Sequence, residues 1–273
     1  MQLQENQTIE TETEIFDIFK KHSKIKYFVS NRVGGISNEK FAGLNIGLHV
    51  NDSVENVIEN RIILAEMVQM PLEQFVFCNQ IQENTVTEIT KHDAGRGIYD
   101  SSEAIKDTDA LVTNTKNLML TVQSADCTLL LLYDPENNAI AAVHAGWRGT
   151  LKRIAAKTVK HMQIVYKTNP SNLLVAISPS ISVENYEIGT EVINAVKKYR
   201  GRKRNFLQFN EKTGKFHFDQ WTANKTQLIE AGVTPENIEV SGICTFANSD
   251  KYYSSRKDKG ITGRFAAGIA LID

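Results

Sequence analysis

Cysteine is scarce in this chain. Cys78, Cys127 and Cys244 are scattered over 273 residues, too few for the disulfide framework of a secreted fold, so a reducing compartment is expected. Neither sign of charge is in excess. Lys and Arg number 31 against 32 Asp and Glu, which leaves no overall field to hold a nucleic-acid backbone; any anion must be caught locally. No apolar run is long enough to span a bilayer, and the opening MQLQENQTIETETE lacks the basic start and apolar stretch of a secretory signal. The expectation is a cytoplasmic protein with no membrane or nucleic-acid partner.

What is present suits a folded globule. Hydrophobic residues make up 41% and charged residues 23%, which gives enough core and no compositional reason for disorder. The length is near the upper limit for one hydrophobic core, and no repeat or Gly/Ser- or Pro-rich linker divides it. A single compact unit over 1–273 is expected, with residues 1–14 as a polar extension. SVENVIENRIILAEMV predicts a helix capped by Ser53, with Val54, Val57, Ile58, Ile62 and Ala65 turned to the core. IFDIFKKH predicts a short helix, GTLKRIAAKTVKHMQIVY an unbroken one, TEVINAVKKYR another, and FHFDQWTANKTQLIEAG one that stops at Gly232. Strands are expected in KYFVSN, FVFCNQIQENTVTEI, ALVTNTKNLMLTVQ, NLLVAISP and FAAGIALI. Without strict βαβ alternation, the fold class expected is α+β, with layered mixed β-sheets flanked by helices.

The segment SADCTLLLLYDPENNAIAAVHAGWRGT, residues 124–150, predicts a β-hairpin turning at DPENN. A four-residue loop from Asp134 to Asn137 sets Tyr133 against Asn138 and therefore Cys127 against His144. Directly opposed residues share a face, with Cβ atoms about 4.5–5.5 Å apart, which suits two ligands of one metal or a thiol and its base. Asp126 adds a charge at the head of an apolar run, costly if buried without a partner or a role. After His144, AGWRG places two glycines, an aromatic ring and Arg148 before a helix, a combination suited to an anion.

At these residues the chain resembles the YfiH family of bacterial proteins, also called the laccase-domain or multicopper polyphenol oxidase family. The resemblance runs over nearly the whole chain: NRVGGIS (31–37), LNIGLHVND (44–52) with NR at 60–61, DALV (109–112), SADC (124–127), HAGWRG (144–149), YEIGTEV (186–192), CT (244–245) and SSRKDKGITGRFA (254–266). It implies a zinc-dependent enzyme that phosphorolyses adenosine, inosine, guanosine and methylthioadenosine and deaminates adenosine. It also implies three zinc ligands: a His in a Q-x-H segment, the Cys of ADC and the His of HAGWRG. The last two fall on Cys127 and His144. The first falls on Gln82, in NQIQENTV, where an amide oxygen replaces an imidazole and zinc affinity should drop. Three arrangements are open: weak coordination by Gln82, substitution by His49 or His92, or a disabled metal site.

With metal bound, zinc-activated hydroxide would serve deamination, while phosphorolysis needs positive charge for phosphate beside the ribose. Arg32, Arg61, Arg148 and Arg264 are the candidate cations, with Asn45 and His49 as neutral donors and Tyr186 and Glu187 as groups that orient ribose or water. A surface ion pair is the plain alternative for each Arg, and a structural anchor for Arg61 above all. Catalytic roles are expected for Cys127, His144, Arg148 and Asp126. Copper is the less favoured metal, because the six His are dispersed with no H-x-H pair. A metal-free Cys–His hydrolase and a nucleoside-binding protein without turnover are the remaining rivals.

Overall fold

A computed structural model describes residues 16–203 and 205–273; the polar extension over 1–14 lies outside them. The described residues form thirteen strands: β1 (Ile25–Val29), β2 (Phe75–Phe77), β3 (Val86–Glu88), β4 (Ala110–Thr113), β5 (Met119–Ser124), β6 (Thr128–Asp134), β7 (Ala139–Ala145), β8 (Leu174–Ile177), β9 (Glu187–Ile188), β10 (Leu207–Asn210), β11 (Lys215–Phe218), β12 (Ile238–Val240) and β13 (Phe265–Leu271). The helices are α1 (Val54–Val68), α2 (Trp147–Leu151), α3 (Ile154–Tyr166), α4 (Thr190–Lys198) and α5 (Gln220–Glu230). Strands join in a four-stranded sheet, β1-β13-β5-β2, a six-stranded sheet, β12-β8-β6-β7-β4-β3, and a small sheet, β10-β11-β9. Parallel and antiparallel pairs are mixed in both larger sheets.

The two larger sheets share one core. Leu129, Leu131 and Ala142 of the six-stranded sheet meet Val29, Leu120 and Ile269 of the four-stranded one. The alternate residues of β6 and β7, Leu130, Leu132 and Val143, pack instead on Ile154, Val159 and Met162 of α3 and Leu228 of α5. On the far side, Phe28, Phe75 and Met119 are covered by Leu64 and Val68 of α1. The layers therefore run helix, sheet, sheet, helix. Strands buried on both faces read as continuous apolar runs such as TLLLLY, and every residue of β6 and β7 is buried. The mixed, layered fold is as expected. Among the described residues no helix is long and apolar enough to cross a membrane.

Several local expectations are corrected. Ser53 does cap α1, accepting a hydrogen bond from the Asn56 backbone N–H, but Val54 and Ile62 are exposed, and the buried face includes Asn60 and Arg61. Both polar side chains satisfy backbone carbonyls of the Gly43–Ile46 segment, which fixes the helix rotation more strongly than the two aliphatic residues do. The long helix predicted after Gly149 is two helices. Arg153 adopts a left-handed conformation (φ 64°) between them, because α2 packs on the loop after β2 while α3 covers the sheet. IFDIFKKH contributes one 3-10 turn (Asp17–Phe19), FHF belongs to β11 rather than to α5, and NQIQENT leaves the strand pattern as a loop.

The hairpin register also differs. Asp134 pairs with Ala139 and Leu129 with His144, so the loop is Pro135–Asn138, one residue later than expected. Asp134 stays in the strand and its carboxylate accepts the N–H groups of Glu136 and Asn137, the side-chain turn that short acidic residues favour. The shift moves each pairing by two positions. The even shift leaves the face of His144 as expected, directly across from Leu129, and Cys127, one residue before β6, still reaches it without being its direct partner.

Candidate active site

The site forms where three segments close on Gly146. A Cβ built on Gly146 would lie 3.2 Å from Cys127 Sγ, 3.3 Å from Gln82 Oε1 and 3.4 Å from His144 Cε1. Cys127 precedes β6, His144 is near the end of β7, and Gln82 sits on the loop between β2 and β3 with a left-handed backbone (φ 59°). The three residues that the sequence pattern associates with a metal are thus brought together.

Asp109, immediately before β4, organises them. Its carboxylate is fully buried and accepts the backbone N–H groups of Ile81 (3.3 Å), Gln82 (3.1 Å) and Glu83 (2.8 Å). The same group lies 2.8 Å from His144 Nδ1. One side chain therefore sets the turn that presents Gln82 and the orientation of the imidazole. His144 also hydrogen-bonds Cys127; burial opposes its cation, but the bonds to Asp109 and Cys127 outweigh burial and push its pKa up to about 9. Asp109 was not among the expected site residues, although DALV belongs to the family pattern. A carboxylate heading an apolar strand was the available signal.

Two cavities meet at Cys127. The first, about 370 Å³, is lined by His49, Arg61, Gln82, Cys127, His144 and Arg264, among others. Arg61 is 2% exposed and has no carboxylate partner among the described residues. Its guanidinium donates to the carbonyls of Ile46, Gly97 and Ile98 and lies 3.9 Å from the Phe77 ring centroid. Burial lowers its pKa to about 9, so it stays charged at neutral pH. The Arg264 guanidinium likewise donates to carbonyls among the described residues, those of Thr262 and Gly263. His49 opens onto this cavity with its side chain exposed; partial desolvation at the cavity mouth and then the charges of Arg264, Arg61 and His144 lower its pKa, leaving it neutral.

The second cavity, about 490 Å³, is lined by Asp126, Cys127, Tyr186, Gln220 and Arg256, among others. Asp126 has a strained backbone (φ 91°), and burial raises its pKa against the bonds that hold it. Those bonds come from the Thr245 hydroxyl (2.6 Å) and the Arg256 N–H (2.7 Å). The Arg256 guanidinium lies over the Tyr186 ring. Arg256, in the SSRKDKG segment, was also missed.

Four expected site residues lie elsewhere. Arg32 bonds Ala42 and Ser249 carbonyls over the Tyr253 ring. Asn45 is a buried brace between Asp52 and the backbone of Gly47 and Arg264. Glu187 is paired with Lys215. Arg148 pairs with Glu191 at 2.9 Å and lines a separate groove. None lines either cavity at Cys127.

Zinc takes thiolate, imidazole and carboxylate donors, three from the protein even at an open catalytic site. Cys127 and His144 supply two, and Gln82 offers a neutral amide oxygen. Among the described residues no group of three His, Cys, Asp or Glu is placed to hold a metal. His49 shares the cavity without completing such a group, and His92 sits in a separate 3-10 turn (Lys91–Asp93). The donor set does not fit a resident zinc ion.

Comparison with known proteins agrees with this architecture. Residues 26–272 match the family model described as multi-copper polyphenol oxidoreductase laccase. The purine nucleoside phosphorylase YlmD of Bacillus subtilis is 36% identical over 239 residues, covering 87% of this chain and 85% of the relative. Adenosine deaminase RL5, from an unknown prokaryotic organism, is 31% identical over 258 residues, covering 94% of this chain and 98% of the relative. The crystal structure of YlmD from Geobacillus stearothermophilus superposes with a TM-score of 0.89 at 32% identity over 94% of each chain. Sequence match and shared fold together place this chain in the laccase-domain family, alongside the YfiH and YlmD proteins.

Proposed function

We propose that the chain is a purine nucleoside phosphorylase. The observation that carries this reading is the pair of partly or fully buried guanidiniums, Arg61 and Arg264, without carboxylate partners among the described residues, in one cavity with the Asp109–His144–Cys127 group. Cations held by neutral carbonyls keep their charge for a ligand, and in a site shielded from water that charge acts strongly on an anion. Inorganic phosphate bound there attacks C1′ of the nucleoside ribose as the bond from C1′ to purine N9 breaks. The electron pair leaves with the purine. His144, charged at neutral pH with Nδ1 held by Asp109, gives a proton to the departing base. The cavity with Tyr186 and Asp126 takes the purine, the ring by stacking and the carboxylate by hydrogen bonding.

The test is release of hypoxanthine from inosine by protein in metal-chelated buffer, with zinc content measured on the same sample. Phosphate-dependent release is expected, and Arg264→Met should raise the KM for phosphate by roughly tenfold or more. Release that ignores phosphate, or none at all, overturns the reading. Deamination needs an activated water, for which this donor set is poor. Gln82→His supplies the missing imidazole, so zinc retained after dialysis should rise towards stoichiometric and adenosine deamination should appear in that variant; unchanged zinc would mean that position 82 does not reach the other two donors.

Asp109 also favours a second reading, because a carboxylate that orients an imidazole bonded to a thiol is the arrangement of a Cys–His–Asp acyl hydrolase. Phosphate-independent ester cleavage, abolished by alkylation of Cys127 with iodoacetamide, would select it over phosphorolysis.

A further inference from the structure

The segment HAGWRG is only half absorbed by the site at Cys127. Beyond Gly146, α2 carries Trp147 and Arg148 into a groove of about 530 Å³ between α2 and α4, which shares no lining residue with either cavity. Five lining residues are basic, including Arg148, Lys152, Lys198 and Arg200, and none is acidic. The rest of the wall is apolar or aromatic, with Trp147 and Tyr199.

The cations divide into two sets. Arg148 is tied to Glu191, Lys152 to Glu83, and Arg153 to Glu230 at 2.8 Å and to the Tyr199 hydroxyl at 3.1 Å. Lys198 and Arg200 are exposed and have no hydrogen-bond or ion-pair partner among the described residues. A helix-end complement to the α4 carbonyls accounts for Lys198 but not for Arg200 beyond the helix. The Arg148 guanidinium lies 4.2 Å from the Trp147 ring centroid, so the two planes make a half-buried platform for a flat ring. Ring and free cations line one groove, and its volume is that of a small-ligand site. An uncharged nucleoside leaves the two cations unused, and inorganic phosphate leaves the platform unused.

We propose that this groove binds a nucleoside monophosphate, its base on the Arg148–Trp147 platform and its phosphate on Lys198 and Arg200. The site is independent of the chemistry assigned at Cys127. The chain has two Trp, so Trp221→Phe leaves Trp147 as the sole indole reporter. In that background, adenosine monophosphate is expected to quench Trp147 fluorescence saturably, at roughly tenfold lower concentration than adenosine or inorganic phosphate, as loss of either contact set implies. The double substitution K198E/R200E, at exposed positions, should weaken the monophosphate by roughly tenfold or more while the urea midpoint stays unchanged. Calorimetric titration of the chain without the Trp221 substitution should give the same order of ligands. Absence of saturable quenching, quenching indifferent to K198E/R200E, or tighter binding of a short single-stranded oligoribonucleotide than of the monophosphate would overturn the assignment.

Discussion

Asp109→Asn converts one acceptor oxygen to a donor amide where the folded chain offers three backbone N–H donors and the ring nitrogen of His144. Oδ1 faces the N–H of Gln82 and Nδ1 of His144; Oδ2 faces the N–H groups of Ile81 and Glu83. With the amide nitrogen at Oδ2 the N–H groups of Ile81 and Glu83 meet a donor; with it at Oδ1 the N–H of Gln82 does, joined by Nδ1 while the ring is protonated, so at about 1–3 kcal/mol for each unsatisfied buried group the loss is about 2 kcal/mol for one and about 4 kcal/mol for two. The imidazolium also loses its counter-ion. His144 titrates near 9 when folded against about 6.5 when unfolded, so its proton contributes about 3 kcal/mol of stability. That contribution is fully present below the unfolded value and is lost as pH rises through about 9. In the variant, burial acts with less opposition and the imidazole pKa falls. Urea denaturation of both proteins should therefore show a larger deficit at pH 6 than at pH 9.5, with Tm lower by roughly 10 °C at the acid end. Titration of the His144 ring by NMR gives the same answer directly. A deficit independent of pH, with His144 titrating unchanged, would refute the assignment of Asp109 as the group that holds this proton.

Gly146→Ala separates function from folding. The Gly146 backbone (φ −65°, ψ 167°) is open to any residue, so the urea midpoint should change little. The added methyl, however, occupies the point where Cys127, Gln82 and His144 converge, at 3.2–3.4 Å from each, and by filling the space of a reacting atom it should lower kcat/KM for phosphorolysis by roughly tenfold or more; undiminished turnover would place the reaction elsewhere. Arg61→Met should cost about 3 kcal/mol in denaturant titration, because the carbonyls of Ile46, Gly97 and Ile98 lose their buried donor, and it should also remove phosphate affinity. Full phosphate affinity in that variant would leave Arg61 as an anchor only.

Elements with strong local determinants were legible in the sequence. The Ser53 cap of α1 and the closing strand FAAGIALI depend on capping and burial patterns carried by adjacent residues. Misread features depend on contacts between distant segments. The break at Arg153 serves α2 packing, where a Cβ on Gly149 would lie 2.7 Å from the Glu83 carbonyl oxygen; nothing in GTLKRIAAKTVK reports that neighbour. Asn45, Arg32 and Arg148 share a residue type with true cavity-lining groups, and only the tertiary partners distinguish a brace from a ligand-facing donor. Asp109 is the clearest case, since its four partners come from two segments 26 and more residues away.

The hairpin explains why a wrong register still led to the right pair. Its loop was misplaced by one residue, which displaces every cross-strand pairing by two and leaves the facing parity intact. Which face a side chain occupies depends on whether the displacement is even or odd, whereas the direct partner depends on its full value. A prediction of shared face is thus more robust than a prediction of opposition. With both strands buried on both faces, apolar alternation could not fix the register; Asp134 fixed it by closing its own turn. The juxtaposition of Cys127 with His144 survives, Cys127 standing one residue before the ladder that ends at Thr128 and Ala145, and Gly146 lies beside both, where its missing side chain leaves room for a reacting atom.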